Sequence, residues 1–147
     1  MTFERILVPL DGSRRSASVV PYAVDLAKRF GSRVRLLAVL TGTHEPVHIA
    51  KKERGAVGAS PREDDGLALK RYLDNLAEQF HEEALEVETE IRRGAAAHEI
   101  LESALEGRCD LIAMSTRSRH GLKRLVLGSV AEEVLRKSHL PILLVTA

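Results

Sequence analysis

The chain has 147 residues, of which 44% are hydrophobic and 29% charged, and this size and composition fit one globular domain, residues 1–147. Its 22 basic and 21 acidic side chains leave a net charge of +1, which argues against a nucleic-acid-binding protein, because such proteins carry a clear basic excess. The chain has a single cysteine, Cys109, which excludes an internal disulfide framework. No apolar run approaches the ~20 residues of a membrane span, and the N-terminal residues show no signal-peptide pattern. We therefore expect a cytoplasmic protein.

The first forty residues predict a strand, a helix and a second strand. The first strand, RILVPL, is an apolar run that ends at Asp11-Gly12-Ser13. Apolar residues then recur at helical spacing as far as Phe30, and Pro21 places the regular helix late, after a looser turn from Ser13. Gly31 supplies the helix stop. The two strands cover residues 5–10 and Arg33 to Leu40.

Between Thr41 and Asp65 the periodicity is lost, which predicts a long loop. This loop contains HEPVH, His44 to His48, which matches the H-E-x-x-H pattern of zinc proteases. That chemistry needs both histidines on one face of a helix, and Pro46 disfavours helix immediately before it. We therefore interpret these histidines as solvated loop residues.

The remaining elements alternate in the same manner. Helical spacing resumes between Leu69 and Phe80. The segment from Leu85 to Arg92 alternates strictly, with its charges on one face, which predicts a half-exposed strand at a sheet edge. The later elements are a helix with an apolar stripe from Ala97 to Leu105 and a stop at Gly107, a buried strand from Leu111, a helix from about Val130 to Lys137, and a last strand after Pro141.

One stretch, Asp110 to Leu135, combines a strand, a loop and a helix start. Small and basic residues, Ser115 to Gly121, follow the strand, and Gly128-Ser129 opens the helix. Ser129 and Glu132 have the S-x-x-E spacing of a capping box. The backbone N–H groups and the dipole at such a helix start attract anions, phosphate above all.

The alternating order predicts an α/β fold with an open five-stranded parallel sheet and helices on both faces. In such sheets, ligands bind beyond the carboxyl ends of the strands, where the winding direction switches. The loops after the first, second and fourth strands open at that edge. The segments concerned are Pro9 to Ser13, the residues from Val39 onward, and Ser115 to Ser129.

No catalytic motif accompanies this edge in the sequence. The chain lacks a G-x-S-x-G elbow, a P-loop and a G-x-G-x-x-G fingerprint. A slow ATP hydrolase would need a base or a water-positioning residue, and none is evident. Asp11 has two equally weighted interpretations: it accepts a hydrogen bond from a ligand, or it caps its own turn.

At both ends the sequence resembles the universal stress protein family, in its small single-domain form. ILVPLDGS, Ile6 to Ser13, is similar to the family's first strand and turn, and GSVAEEVLRKSHLPILLV, Gly128 to Val145, to its last helix and strand. Nucleotide-binding members carry G-x2-G-x9-G-[ST] after the fourth strand. Here Ser115 and Ser118 replace the first two glycines, while the spacing and the final Gly128-Ser129 are kept.

The resemblance implies a Rossmann-like fold of the adenine nucleotide alpha hydrolase type that binds ATP, with Mg²⁺ as its companion ion. It implies adenine and ribose contacts from Pro9, Asp11 and Val39. The triphosphate contacts that it implies come from Ser115, Ser118, Gly128, Ser129 and Val130, and basic side chains from Arg117, Arg119 or Lys123 are expected near the phosphates.

These observations lead to a regulatory, ATP-binding stress-response protein rather than an enzyme, with no nucleic-acid or membrane partner. The alternative is a nucleotide-free, dimeric interaction module of the same family. Both interpretations include a homodimer. Ile142 to Val145 is an uninterrupted apolar run that, at a sheet edge, would leave unpaired backbone groups, and pairing with a second copy across a two-fold axis would cover them.

Overall fold

A computed structural model of the chain describes residues 2–41, 61–116 and 127–147, with the backbone alone at 61–64. Strands and helices alternate along these residues. The elements are β1 (Arg5–Leu10), α1 (Arg14–Ala17), α2 (Val20–Phe30), β2 (Arg33–Leu40), α3 (Pro61–Glu82), β3 (Val87–Arg93), α4 (Ala96–Glu106), β4 (Leu111–Thr116), α5 (Ser129–Lys137) and β5 (Ile142–Thr146).

The five strands of the described ranges form one parallel sheet in the order β3-β2-β1-β4-β5. This arrangement confirms the predicted α/β fold. The chain winds outward from β1 to β2 and β3, and then returns to place β4 and β5 on the other side. The winding therefore switches between β1 and β4, and β3 and β5 form the two edges, as the alternation of β3 predicted.

Alternating side chains of the strands pack into one apolar cluster on each face of the sheet. Ile6 and Val8 of β1 belong to the cluster that α2 and α3 cover, where Phe80 is fully buried. Leu7 belongs to the cluster under α4 and α5. Helices thus cover both faces, which is why the strands read as continuous apolar runs in the sequence.

The ends of α2 follow from Pro21 and Gly31, as predicted. Pro21 lies in the first turn, where its missing N–H leaves no helical hydrogen bond unmade. Gly31 takes a left-handed conformation, φ +65°, and its N–H donates to the carbonyl of Ala27. A residue with a side chain is strained in that conformation, so glycine ends the helix here.

The start of α3 differs from the prediction. The loop was expected to continue to Asp65, but the helix begins at Pro61. Proline suits the first helical position, and acidic residues in the first turn suit the helix dipole. The sequence Pro61-Arg62-Glu63-Asp64 carries both signals, whereas apolar residues recur at helical spacing only from Leu69 onward.

The charged face of β3 is covered rather than solvated, which corrects a second expectation. Glu90 and Arg92 were placed outward in solvent, yet their side chains are only 25% and 16% exposed. Helix α4 lies over them. Arg92 donates to Glu90, to Glu106 and, at 3.3 Å, to Glu99, while Ser103 donates to Glu90 at 2.7 Å. Alternation identified the face correctly but not what packs on it.

Leu105 is a third difference. It was assigned to the apolar stripe of α4, but it is 72% exposed. The buried residues of this helix are Ala97, Ile100, Ser103 and Ala104. Leu105 follows Ala104 by one residue, which is a rotation of about 100° about the helix axis, and this places it beside the buried stripe rather than in it.

The turn between α3 and β3 offers a stability test at Ala84. This exposed residue has φ +58°, a left-handed conformation that costs a residue with a Cβ about 1 kcal/mol. We expect Ala84→Gly to raise the free energy of unfolding by roughly 0.5–1 kcal/mol in urea denaturation. Ala68→Gly, inside α3, is the matched control and should lower it by a similar amount. A loss of stability in Ala84→Gly would refute the assigned turn geometry.

Candidate functional site

The strands that flank the switch in winding direction separate at their carboxyl ends. The pairing of β1 with β4 consists of Ile6 with Leu111 and Leu7 with Ile112. Both strands continue further, to Leu10 and to Thr116. We call the opening beyond Leu10 and Thr116 the switch-point crevice. It lies where ligands bind in open α/β sheets, and where the sequence predicted a site.

Asp11 forms the first wall of the crevice and holds its own turn. Its Oδ1 atom accepts the backbone N–H of Ser13 at 2.8 Å, and Ser13 in turn caps α1 by accepting the N–H of Ser16 at 3.0 Å. The turn-capping interpretation of Asp11 is therefore confirmed, and its contact with a ligand stays a prediction. Burial raises the pKa of Asp11, but hydrogen bonds from Ser13 and Ser16 and the charge of Arg15 hold it below its ordinary value.

Serine hydroxyls join this wall to the end of β4. The backbone N–H of Asp11 donates to Oγ of Ser16 at 3.2 Å. Ser115 donates its hydroxyl to the carbonyl of Ser16 at 3.2 Å, and its Oγ lies 2.8 Å from Oγ of Ser18. The structure thus links Asp11, after β1, and Ser115, near the end of β4, through Ser16 in one hydrogen-bonded cluster.

Thr116 joins the end of β4 to the start of α5. Its side chain is 2% exposed, and its hydroxyl donates to the carbonyl of Leu127 at 2.6 Å. Gly128 and Ser129 therefore lie beside the crevice. The predicted capping box is wrong: Gly128 is the N-cap, Ser129 is already helical, and the cap has no side-chain hydrogen bond.

The start of α5 is suited to an anion. Gly128 has φ +79°, and no described atom lies within 4 Å of the position that a Cβ would take. A helix provides no internal acceptor for its first N–H groups, which here include those of Ser129 and Val130. N–H groups without a helical acceptor, at the positive end of a helix dipole, are suited to binding phosphate.

Pro9 and Val39 lie on the side of the sheet that α4 and α5 cover. Val39 is half-buried near the carboxyl end of β2, and the register that pairs Leu10 with Ala38 puts it level with Asp11. Pro9 is buried within β1, opposite Leu37. Val39 therefore offers apolar surface close to the crevice, whereas Pro9 offers little.

Three residues of the crevice were not predicted from the sequence. Ser16 and Ser18 lie on the α1 turn, and their spacing from Ser13 is a weak signal for a cluster of hydroxyls. The Tyr72 hydroxyl, on α3, lies 3.5 Å from the carbonyl of Ser13, and burial and the charge of Asp11 raise its pKa. Only tertiary packing brings Tyr72 here, so no local pattern could have identified it.

Several predicted residues lie outside the described residues. These are Arg117, Ser118, Arg119 and Lys123 of the predicted phosphate loop, and the histidines His44 and His48. Within the described ranges, no group of three or more His, Cys, Asp or Glu side chains could hold a metal ion. Those same ranges contain no helix with the length and apolarity that a bilayer crossing requires.

A cavity of about 270 Å³ lies at the opposite, amino edge of the sheet. Its charged lining is internally paired: Arg33 contacts Glu86 at 2.6 Å and Arg35 contacts Glu88 at 2.6 Å. Cys109 also lines it, and burial raises the pKa of this thiol, which suits the packing role predicted for it. The third arginine of the lining, Arg5, donates to the carbonyl of Gly107 at 3.1 Å. Because each of these three guanidinium groups already has a partner within the protein, we place the functional site at the switch-point crevice.

Residues 2–146 match the model of the universal stress protein family. The chain is 34% identical over 154 residues to universal stress protein YxiE of Bacillus subtilis, covering 97% of this chain and 99% of that protein. It is 32% identical over 143 residues to universal stress protein MJ0531 of Methanocaldococcus jannaschii, covering 97% and 82%.

Solved structures share the fold. The structure of the hypothetical protein MJ0577 superimposes with a TM-score of 0.81 at 24% identity, covering 100% of this chain and 98% of that one. A universal stress protein in complex with cAMP gives 0.71 at 19% identity, with 99% and 98% covered. One from Archaeoglobus fulgidus in complex with dAMP gives 0.69 at 21%, with 98% of each chain covered.

Proposed function

The chain belongs to the universal stress protein family, and on that basis we propose that it is a stress-response regulatory protein that binds ATP at the switch-point crevice. The observation that carries the proposal is the convergence of three features at that crevice. Asp11 supplies an acceptor after β1, Ser115 ends β4, and Gly128 opens the N-terminus of α5. Together they offer contacts for a sugar and for phosphate.

Two structural neighbours support an adenine nucleotide as the ligand. Their complexes hold cAMP and dAMP, and both proteins share the parallel sheet that forms the crevice here. Val39 would supply an apolar contact for the adenine ring, and the carboxylate of Asp11 an acceptor for ribose hydroxyls. Aromatic bases bind between apolar side chains with a few polar groups that fix orientation, which fits this wall.

The choice of ATP with Mg²⁺ rests on the start of α5. The N–H groups of Ser129 and Val130 suit phosphate oxygens, and within the described ranges no atom lies within 4 Å of the position that a Cβ on Gly128 would take. When bound, Mg²⁺ neutralises charge on the phosphates. Arg117 and Ser118 complete the proposed phosphate contacts. The protein binds and does not turn over its ligand in this proposal, and its output passes to a partner.

A second candidate is a nucleotide-free interaction module. The observation in its favour is that Ser115 replaces a family glycine and turns its hydroxyl into the protein, toward Ser16 and Ser18. In that case the crevice is closed by its own side chains. We favour nucleotide binding, because the space before Gly128 stays open among the described residues.

Purification of the protein separates these two candidates. With no Trp and two Tyr, the chain absorbs weakly in the near ultraviolet, so bound adenine would dominate its spectrum. We expect gently purified protein to carry excess absorbance, and an acid extract to contain an adenine nucleotide that coelutes with a standard. Protein without such absorbance, which also fails to bind added Mg-ATP, would favour the interaction module.

We further propose a homodimer that pairs β5 with its copy. β5 is an edge strand, and Ile142 to Val145 are only half-buried within one chain. An edge with free backbone groups and apolar surface favours pairing. Light scattering at micromolar concentration should give about twice the 16.2 kDa mass of the chain. A monomer at that concentration would contradict this assignment.

We also propose that the protein acts in the cytoplasm, without a nucleic-acid or membrane partner. The net charge of +1 provides no general attraction to polyanions. The single cysteine, Cys109, is buried and free, which suits a reducing compartment.

A further inference from the structure

Three serine hydroxyls, those of Ser16, Ser18 and Ser115, lie beside the switch-point crevice, and each can donate only one hydrogen bond. A serine hydroxyl has one hydrogen to donate and two lone pairs that accept. Ser16 donates to the carbonyl of Ser13 at 3.0 Å, and Ser18 donates to the carbonyl of Arg15 at 2.7 Å. The proton of Ser16 is therefore used within the α1 turn, and that of Ser18 goes either to the Arg15 carbonyl or to Ser115.

Ser115 has two partners in this cluster, Oγ of Ser18 at 2.8 Å and the carbonyl of Ser16 at 3.2 Å. When Ser18 donates to the carbonyl of Arg15, Ser115 donates its hydrogen bond to Oγ of Ser18. When Ser18 instead donates to Oγ of Ser115, Ser115 donates its hydrogen bond to the carbonyl of Ser16. In either arrangement the hydrogen of Ser115 is used inside the protein, and a lone pair remains for the crevice.

A lone pair excludes one ligand group and selects another. A phosphate oxygen is itself an acceptor, so it would meet Ser115 without a hydrogen bond and with repulsion. To donate to phosphate, Ser115 would have to leave the Ser16 carbonyl or Ser18 without the hydrogen bond that it now receives, and that loss offsets the gain. A ribose hydroxyl carries the proton that Ser115 lacks.

Building on the proposed nucleotide site, we infer that Ser115 is a specificity residue that accepts a hydrogen bond from a ribose hydroxyl of the bound nucleotide. The phosphates are then left to the start of α5. The serine that replaces a family glycine changes the role of this position, from close backbone approach to selection for a sugar hydroxyl.

The test compares ATP with its 2′-deoxy and 3′-deoxy analogues by calorimetry in the parent, Ser115→Ala and Ser18→Ala. A neutral hydrogen bond changes affinity by about three- to tenfold, so the parent should prefer ATP to one analogue by that factor. In Ser115→Ala the preference should disappear. In Ser18→Ala it should persist, because Ser115 still donates to the Ser16 carbonyl and keeps its lone pair.

Other outcomes would overturn the inference. If Ser115→Ala weakens all three ligands equally, Ser115 serves the phosphates; if it changes nothing, its role is structural. Melting temperatures show whether each variant is folded, and Ser115→Gly, the family residue, gives a second variant without the hydroxyl. A parent that binds none of the three ligands refutes the proposed function as well, whereas a parent that binds all three without preference refutes the inference alone.

Discussion

We expect Asp11→Ala to weaken the binding of Mg-ATP by about 1.5–3 kcal/mol, the range for a hydrogen bond to a charged group. The carboxylate lies at the mouth of the crevice, and its pKa is held below its ordinary value, so at neutral pH it is a charged acceptor for ribose hydroxyls. The same variant should lose about 1 kcal/mol of stability, because the N–H of Ser13 loses the acceptor that caps the turn.

Asp11→Asn separates these two effects. The amide oxygen can still accept the N–H of Ser13, so the turn and the melting temperature should stay near those of the parent. The second oxygen becomes a donor group, so the ligand loses a charged acceptor and affinity should still fall about tenfold. Unchanged affinity in both variants, with a lower melting temperature in Asp11→Ala, would mean that Asp11 serves the turn alone.

Arg92→Met should lower the free energy of unfolding by about 3 kcal/mol. The guanidinium lies among Glu90, Glu99 and Glu106, two of which are mostly buried, and removal of the cation leaves these carboxylates to repel one another. Methionine retains the length and apolar bulk of the side chain, so the loss reports charge rather than packing. Chemical denaturation at pH 7 measures it.

Arg33→Met is the matched control for that variant. Arg33 pairs with Glu86 at 2.6 Å on the same sheet, but both side chains are largely exposed, and exposed pairs contribute less than about 1 kcal/mol. The change at Arg33 should therefore be small. Equal losses in the two variants would contradict the claim that the buried ion pairs under α4 stabilise the fold more than an exposed pair does.

The loss in Arg92→Met should also depend on pH. Burial raises the pKa of Glu90. Hydrogen bonds from Ser103 and Arg92, together with the charges of Arg92 and Arg35, have a larger opposite effect and hold this pKa below its ordinary value of 4.5. A carboxyl with a lowered folded pKa stabilises the fold above 4.5, and that contribution is lost as the pH falls below it. The difference between parent and variant should be greatest near neutral pH and shrink under acid conditions.

Local sequence patterns predicted much of the fold. Apolar runs predicted β1 and β2 with the observed bounds, and Pro21 and Gly31 predicted the ends of α2. These features depend on neighbours within a few residues. The burial of Glu90 could not be predicted in this way, because it depends on α4 packing over β3 after both have formed.

The candidate site shows the same division. The order of the elements predicted that the loops after the first, second and fourth strands open at one edge of the sheet, and Asp11 and Gly128 belong to the first and last of these loops. The direction of the Ser115 hydroxyl was not, because its partners Ser16 and Ser18 are distant in the sequence. The predicted capping box at Ser129 is wrong because the helix begins one residue earlier than the box requires. With Gly128 as the N-cap, the residue three positions later is Ala131, which cannot donate or accept a side-chain hydrogen bond.

Calorimetric titration of nucleotide-free protein with Mg-ATP, beside Mg-GTP, tests nucleotide binding at the crevice most directly. We predict saturable binding of one ATP per chain, tighter than GTP because Val39 and the turn at Asp11 shape the wall for adenine, and weakened in Asp11→Ala. Absence of binding heat, together with failure of ATP to raise the melting temperature of the folded protein, would contradict this assignment.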